Sequence, residues 1–575
     1  MRRRIRSIVA LAPVLSALTV ASLCQPAAPP ADPWWKHAVI YEIYPRSFQD
    51  SNGDGTGDLN GITRRLDYLQ SLGVDALWLS PVYPSPQIDF GYDISDYENI
   101  DPRYGTLADF DKLVAEAKKR NIRIVMDMVL NHTSDQHKWF QESRSSRTNP
   151  RQDWYVWRDG KAGDTTGTNP PNNWLSMFGH SSWQYDATRG QYYYHQFYKQ
   201  QPDLNWRNPD VEKAMFASMR FWLDRGVAGF RLDAINYLFE DPNIPDAKPT
   251  GGTNEFGDPK QSNAPYYDMP EEHDVARRMR IMTDSYPGAR VLIGEVYLDD
   301  PAALDVWYGG ARHDELQLPM DMAVGFAKKF DAPTLRRALV DASTKIDGNQ
   351  PLFVFDNHDN HRSWDRLGDG VHNAAIARVI AAILLTTRAT ALLYYGQEIG
   401  MVTSTPTRKE DVQDPIGITG WPQEKGRDGE RTPMQWNSSK NSGFTTSAKP
   451  WLPVPASAST VNVAVEEKDP TSLLNWYKKL IAMRRTNPAL HDGAFRMLDA
   501  GNTTVLSYLR EGAAGSPALL VMMNVSAEPQ KAVVDASARA KALHTLLTDE
   551  PSLDKIDASG SITLPPFATW VGTVQ

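Results

Sequence analysis

Several acidic residues stand where an apolar run stops. Val227 to Leu232 leads into Asp233, with Arg231 two positions before it. In a strand, residues two apart share a face. Arg231 and Asp233 therefore point the same way, out of the mouth of the sheet this strand joins. An arginine beside a carboxylate favours its ionised form. An ionised carboxylate at a strand end is a candidate nucleophile. The plain alternative is a structural ion pair. Other runs end similarly. Ile122 to Val129 leads to Asn131 and His132, and Val291 to Ile293 leads to Glu295. Leu352 to Phe355 leads to Asp356, Asn357, His358 and Asp359. Brought into one mouth, these residues suit paired-carboxylate chemistry, such as hydrolysis of a glycosidic bond. A catalytic metal held by His132, His358 and the acids is the competing reading.

The elements that must position these residues alternate. Val39 to Tyr44 is a strand, and Ile62 to Leu72 is amphipathic at helical spacing before the strand Val74 to Leu79. The helices Leu107 to Arg120, Val211 to Arg225, Val275 to Tyr286, Thr334 to Ala342 and His372 to Thr387 follow. Each precedes an apolar strand, with 315–318 as one more, ending at Ala391 to Tyr395. Helices alternating with buried strands imply a parallel sheet. About eight strands imply a closed (β/α)8 TIM barrel, with an open doubly wound sheet as the alternative. Two stretches break the rhythm. Residues 131–206 are rich in Trp, Tyr, Asn and Gly and imply an inserted domain B after strand three. Residues 401–460 are rich in Pro, Gly and Thr and imply a lid loop. The barrel, domain A, then occupies 32–130 and 207–490. After Leu490, short alternating runs imply an antiparallel β domain, domain C, over 491–575.

The 575 residues carry a formal net charge of -9, which does not suit nucleic-acid binding. Tryptophan (17) and tyrosine (23) are plentiful, and flat aromatic faces suit carbohydrate. Arg2, Arg3, Arg4 and Arg6 precede the apolar run Ile8 to Leu23. With the small residues and prolines of Ala27 to Ala31, they imply a secretory signal and linker over 1–31, the apolar run being short for a membrane span, with an uncleaved anchor as the alternative. The mature chain is expected in the periplasm or outside the cell, without an integral membrane span. Cys24, the single cysteine, stands where a lipoprotein anchor would, after an ill-fitting Leu23, and excludes an intrachain disulfide. Asp50, Asn52, Asp54, Thr56 and Asp58 alternate through a glycine-rich loop. Side-chain oxygens, and the Thr56 carbonyl, can converge there on a hard cation, which implies a structural Ca2+. Gly61 takes the place of the closing glutamate of an EF-hand. The alternative is a solvated turn.

Asp127-Met-Val-Leu-Asn-His132, Gly229-Phe-Arg-Leu-Asp233, Ile293-Gly-Glu295 and Phe355-Asp-Asn-His-Asp359 resemble, in order, the four signature regions of the α-amylase superfamily, glycoside hydrolase family 13. Gln201-Pro-Asp-Leu-Asn-Trp206 resembles a fifth region of its oligo-1,6-glucosidase and α-glucosidase branch. Gly91 to Tyr97 and Arg431 to Trp436 extend the resemblance from about Trp35 to the C-terminus. It implies a retaining mechanism with Asp233 as nucleophile, Glu295 as acid/base and Asp359 as the third acid. It also implies that Asp89, Tyr92, His132, Phe178, Arg231, His358 and Arg431 bind the non-reducing glucose. The metal loop matches one of this branch. Ala234, small where α-1,6-acting members tend to carry valine, points to α-1,4 linkages in maltose-like oligosaccharides. His361 departs from the proline of many relatives and bears on linkage preference. A glucosyltransferase or sugar isomerase, acting on sucrose- or trehalose-type substrates, is the alternative on the same scaffold. A non-catalytic transporter subunit is a third reading, against which all three acids stand.

Overall fold

Eight parallel strands close a barrel in the computed structural model, which describes residues 32–298, 300–498, 501–512, 516–534, 543–553 and 561–574. The expected signal segment, with Cys24, lies outside the described residues. The strands are β1 (Val39–Ile43), β2 (Ala76–Leu79), β3 (Arg123–Val129), β4 (Gly229–Asp233), β5 (Val291–Gly294), β6 (Leu318–Asp321), β7 (Leu352–Val354) and β8 (Thr390–Tyr394). They pair in chain order, and β8 returns to β1, so the sheet is closed and the open alternative is excluded. Among the described residues, no helix is long and apolar enough to cross a membrane.

The strands are apolar on both faces because both faces are covered. Val39, Tyr41, Leu77, Met126, Phe230, Leu292 and Phe353 point outward into the core shared with the helices. Ile40, Ala76, Val125, Val291, Leu318, Leu352 and Leu392 point inward and fill the barrel. Moving two residues toward the C-terminal ends keeps the inward face and changes its chemistry. Glu42 follows Ile40, Asp127 follows Val125, and Arg231 follows Gly229. Register sets their height: Glu42 pairs with Trp78, Asp127 with Arg231, and Arg231 with Ile293. The barrel is thus apolar below and charged above.

Local signals account for the helices. Thr106 and Asp109 form a capping box before Leu107–Lys119. Asn208 caps Pro209–Asp224, with proline in its first turn. The helix expected over Ile62 to Leu72 is two helices, Leu59–Arg64 and Leu66–Leu72. Arg65 breaks them, donating to Gln49 Oε1 at 2.7 Å with its guanidinium 3.9 Å from the Trp436 ring. The strand expected at 315–318 begins only at Leu318, since Glu315 turns aside to pair with Arg277 and His273. The helix Leu473–Thr486 and the hairpin Pro249–Thr253 with Pro259–Gln261 were not expected.

Residues 131–206 lie between β3 and the helix Pro209–Asp224. They hold one helix, Lys138–Ser145, and an antiparallel sheet of Trp157–Arg158, Gln191–Tyr194 and Trp183–Asp186. Beyond Leu490, Ala494–Leu498, Val505–Glu511, Ala518–Asn524, Thr569–Val574 and Leu543–Thr548 form an antiparallel sheet in that order. Gln530–Val533 pairs separately with Ser561–Leu564. Residues of both sheets, among them Leu520, Met522, Trp570, Ala532 and Ile562, share one core.

Gly229 ties packing to the position of the charged residues. It opens β4 at φ 155°, and a Cβ there would lie 2.1 Å from the Val291 carbonyl oxygen on β5. Gly229→Ala should therefore destabilise the chain by about 1–3 kcal/mol or more, the cost of overpacking. A urea unfolding midpoint equal to that of the parent would show that the strands can part freely.

Candidate active site

Arg231 lies inside the barrel rather than out of its mouth, and is almost fully buried. Its Nη1 donates to Asp127 Oδ1 and Oδ2 at 2.9 and 3.0 Å, and to Asp233 Oδ1 at 2.6 Å. Its Nη2 lies 2.8 Å from Glu295 Oε2. One guanidinium therefore spans three carboxyls from β3, β4 and the end of β5. The Ala234 N–H donates to Glu295 Oε2 at 2.9 Å. Asp127 also accepts from Trp78 and Tyr92.

The electrostatics differ from the simple Arg231–Asp233 pair expected. Burial pushes Asp233 up to about 7; Arg231 pulls it down, while Asp127 and Asp359 push it further up. Burial likewise pushes Glu295 up to about 7 against Arg231, with Asp233 and Asp359 adding to the rise. A single arginine divided among three buried carboxyls does not keep all of them ionised. Asp359 behaves otherwise. Burial opposes its ionisation, but His358, Arg427 and Arg431 outweigh burial and hold it below the usual carboxylate range. Arg427 Nη1 and Arg431 Nη2 donate to its Oδ1 at 3.0 and 2.8 Å.

These groups line a cavity of about 630 Å³. Asp89, Tyr92, His132, Phe178, Asp233, Glu295, His358 and Asp359 all reach it. Arg231, Arg431 and Ala234 stand behind that wall. Tyr92 stacks on His358, with ring centroids 5.3 Å apart and planes 7° apart. His132 receives a hydrogen bond from Gln201 Nε2 at 3.0 Å, and burial lowers it to about 3, so it is neutral. Among the described residues, His132 and His358 join no metal-like group.

Five contributors were not expected from sequence. Asp127 and Gln201 stood inside quoted motifs without a role. Arg427, from the lid, donates to Asp89 Oδ1 at 2.7 Å and Asp414 Oδ2 at 2.7 Å besides Asp359. Its irregular loop has no periodicity from which a direction could be read. The unexpected hairpin supplies Glu255 and Phe256 to the cavity. Phe256 packs on Gly179 of the inserted segment and Gly420 of the lid, where added Cβ atoms would come within 2.7 and 3.1 Å of its ring. The His180 N–H donates to Asp258 Oδ2 at 2.7 Å, pinning the hairpin to the inserted segment. His361 lines the same cavity.

The loop of Asp50, Asn52, Asp54, Thr56 and Asp58 lies away from that cavity. Asp50 accepts from the N–H groups of Asn52, Gly53 and Gly55. Asn52 Oδ1 accepts from Asp54 N–H, Asp54 Oδ1 from Thr56 N–H, and Asp58 Oδ2 from Ser51 N–H. These bonds curl the chain and leave lone pairs on hard oxygens, a donor set that fits calcium. The three acids do not cluster by themselves. An ion here would rest on Asn52 Oδ1 and the Thr56 carbonyl as well.

A closed barrel whose upper interior gathers carboxyls around one buried guanidinium suits glycoside hydrolysis. Residues 42–493 match the alpha amylase catalytic domain, and the chain belongs to that family. It is 43% identical over 507 residues to a probable alpha-glucosidase of Rhizobium meliloti, covering 86% of this chain and 90% of that protein. It is 39% identical over 528 residues to an oligo-1,6-glucosidase of Parageobacillus thermoglucosidasius, covering 86% and 90% respectively. The solved structure of an alpha-glucosyl transfer enzyme, XgtA, superposes with a TM-score of 0.85 at 39% identity, over 94% of this chain and all of that one.

Asp233 and Glu295 stand as candidates for paired-carboxyl chemistry, whose working state holds one proton between the two groups. At low pH both are protonated and no nucleophile remains. At high pH both are ionised and no acid remains. The pH profile of kcat/KM for glycoside hydrolysis should therefore be a bell with limbs on either side of about 7. A profile that keeps rising through neutrality would mean that the pair does not share the proton.

Proposed function

We propose that this chain is a retaining, exo-acting α-glucosidase that releases terminal α-1,4-linked glucose from maltose-like oligosaccharides. The observation that carries the reading is the pair of carboxyls spanned by Arg231 at the base of a deep cavity. A retaining enzyme needs two carboxyls roughly 5–5.5 Å apart, one ionised and one protonated. In this reading Asp233 attacks the anomeric carbon, and Glu295 protonates the leaving oxygen and then activates water. Asp359, held ionised by arginines, cannot donate a proton and instead binds hydroxyls and stabilises positive charge on the sugar. Asp89, Tyr92, His132, Phe178 and His358 hold the non-reducing glucose, and Arg231 and Arg431, behind the cavity wall, act through the acids they hold.

Exo action is supported by the closure of the pocket. Arg427 draws Asp89, Asp359 and the lid residue Asp414 together across one side of the cavity. The α-1,4 preference rests on Ala234, which has left-handed backbone at φ 46° and ψ 39°. That conformation is costly for a β-branched residue such as valine, and a lone methyl leaves room beside Asp233. A second reading, glucosyl transfer or isomerisation, is favoured by the likeness to XgtA. Both readings share a covalent glucosyl-Asp233 intermediate and differ in whether water or a sugar intercepts it. Maltose, isomaltose, sucrose, trehalose and maltotriose, assayed side by side, separate them. The expected outcome is glucose from maltose, faster than from isomaltose. Trisaccharide or an isomerised disaccharide as the main product would overturn hydrolysis.

We also propose that the chain is exported to the periplasm or beyond, on the pattern of Arg2 to Ala31. The loop of Asp50, Asn52, Asp54, Thr56 and Asp58 is proposed to hold a structural Ca2+ just before the helix Leu59–Arg64, which Asp58 caps. An ion that binds only the folded chain stabilises it by RT ln(1 + [L]/Kd), about 2.7 kcal/mol at a hundredfold excess over Kd. Removing it with a chelator should lower the unfolding temperature, and Asp54→Ala should abolish that difference. A melting temperature indifferent to chelator would remove the metal from the loop.

A further inference from the structure

A methionine thioether is oxidised where a peroxide can reach it, so burial decides which methionines are at risk. Met1 apart, each of the chain's 17 methionines is among the described residues. Most are packed away. Met126, Met215, Met279, Met401 and Met522 are at most 1% exposed. The half-buried Met269 and Met497 pack against the core. Met177 is different. It is 48% exposed, and among the described residues it is the one methionine that is neither buried nor half-buried. It also lines the cavity that Asp233 and Glu295 reach, in a wall that includes Phe178, Phe197 and Phe256. The methionine most open to an oxidant is therefore the one beside the candidate acids.

Local bonds hold Met177 in that wall. Its N–H donates to the Gln196 carbonyl at 2.8 Å, and the next N–H, of Phe178, donates to Ser176 Oγ at 3.0 Å. The Tyr237 hydroxyl donates to its Sδ at 3.8 Å. Tyr237 belongs to the turn after Asp233, where its N–H donates to the Ala234 carbonyl at 3.0 Å. The sulfur thus touches a turn that begins at the candidate nucleophile. A thioether sulfur is a weak acceptor with two lone pairs. The bond from Tyr237 uses one of them and leaves the other for an oxidant.

We propose that Met177 is a modification site through which peroxide lowers the activity of the cavity. The sulfur lone pair attacks one oxygen of hydrogen peroxide. An S–O bond forms and the O–O bond breaks. The departing hydroxide takes the proton of the transferred hydroxyl and leaves as water. Sulfur is oxidised by two electrons, and the peroxide is reduced. The sulfoxide oxygen is a far better acceptor than the sulfur it replaces. It takes the Tyr237 hydrogen and sets a polar, hydrated group beside Phe178, and a sugar must displace that water before its apolar face meets the wall. Thiol-dependent methionine sulfoxide reductases return the thioether, so the change is reversible. The oxidation site stands without the α-glucosidase reading, which enters only through the rate that is measured.

The test treats the folded full chain with hydrogen peroxide and follows two readouts in time. Peptide mass spectrometry locates the added oxygen. Turnover is measured on whichever glycoside of the panel above reacts fastest. Met177 should gain one oxygen before any other methionine after Met1. In step with it, kcat/KM should fall by about tenfold, the order expected for a polar group set into an apolar wall. A methionine sulfoxide reductase with a thiol reductant should restore both readouts. Met177→Leu should keep its own starting activity under the same treatment, and a lower starting rate in that variant does not alter the comparison. Oxidation of another methionine after Met1 ahead of Met177 would remove the site, whatever the substrate of the enzyme. Oxidised Met177 with unchanged kcat/KM would overturn its effect on the cavity. So would a Met177→Leu chain that loses activity as fast as the parent.

Discussion

The structure depends on one guanidinium. Arg231 is buried in the upper barrel and holds Asp127, Asp233 and Glu295 at once. Taking an isolated charge out of water at this depth is costly by several kcal/mol, and breaking a buried pair leaves the partner stranded. The cluster is tolerable because its members come from three neighbouring strands whose register is already set by ladder hydrogen bonds. Asp127 and Arg231 are direct partners across β3 and β4. The site is thus not grafted onto flexible loops at its base. It is the top layer of the barrel interior, and its geometry is as rigid as the sheet.

That rigidity explains the contrast between floor and rim. On the floor one guanidinium serves three carboxyls, so burial wins and a proton is retained between Asp233 and Glu295. At the rim, Arg427 and Arg431 converge on Asp359, and it stays ionised. Two carboxyls raised toward neutrality and a third held low form the kind of contrast that paired-carboxylate chemistry uses. The division follows from how many arginines each carboxyl meets.

The barrel was legible because alternation and helical spacing are local properties of the chain. Asp233, Glu295 and Asp359 were legible because strand ends mark the mouth of a barrel, and the resemblance then supplied roles that spacing could not. What stayed hidden has a physical reason in each instance. Glu42 sits in Val-Ile-Tyr-Glu-Ile, and alternation can turn it inward without naming its partner, His358, more than 300 residues away. Arg427 lies in a loop without period. The hairpin of Pro249–Thr253 and Pro259–Gln261 is almost wholly exposed, so no apolar face announces it. Asp233 was expected low because Arg231 stands beside it. The sequence could not show that Arg231 is divided among three acids.

The hidden parts share a function in the fold. The inserted segment, the lid and the hairpin each contribute to the cavity wall, and they are tied across it rather than along the chain. Phe256 bridges Gly179 and Gly420, and Arg427 bridges Asp89 and Asp414. Cross-ties of this kind let irregular segments hold position, since each loop's ordering entropy is offset by contacts with another loop. They also put the Arg427 guanidinium and the Phe256 ring in the wall of the cavity. The floor raises Asp233 and Glu295 together. At the rim, Arg427 holds Asp359 as well as joining Asp89 to Asp414.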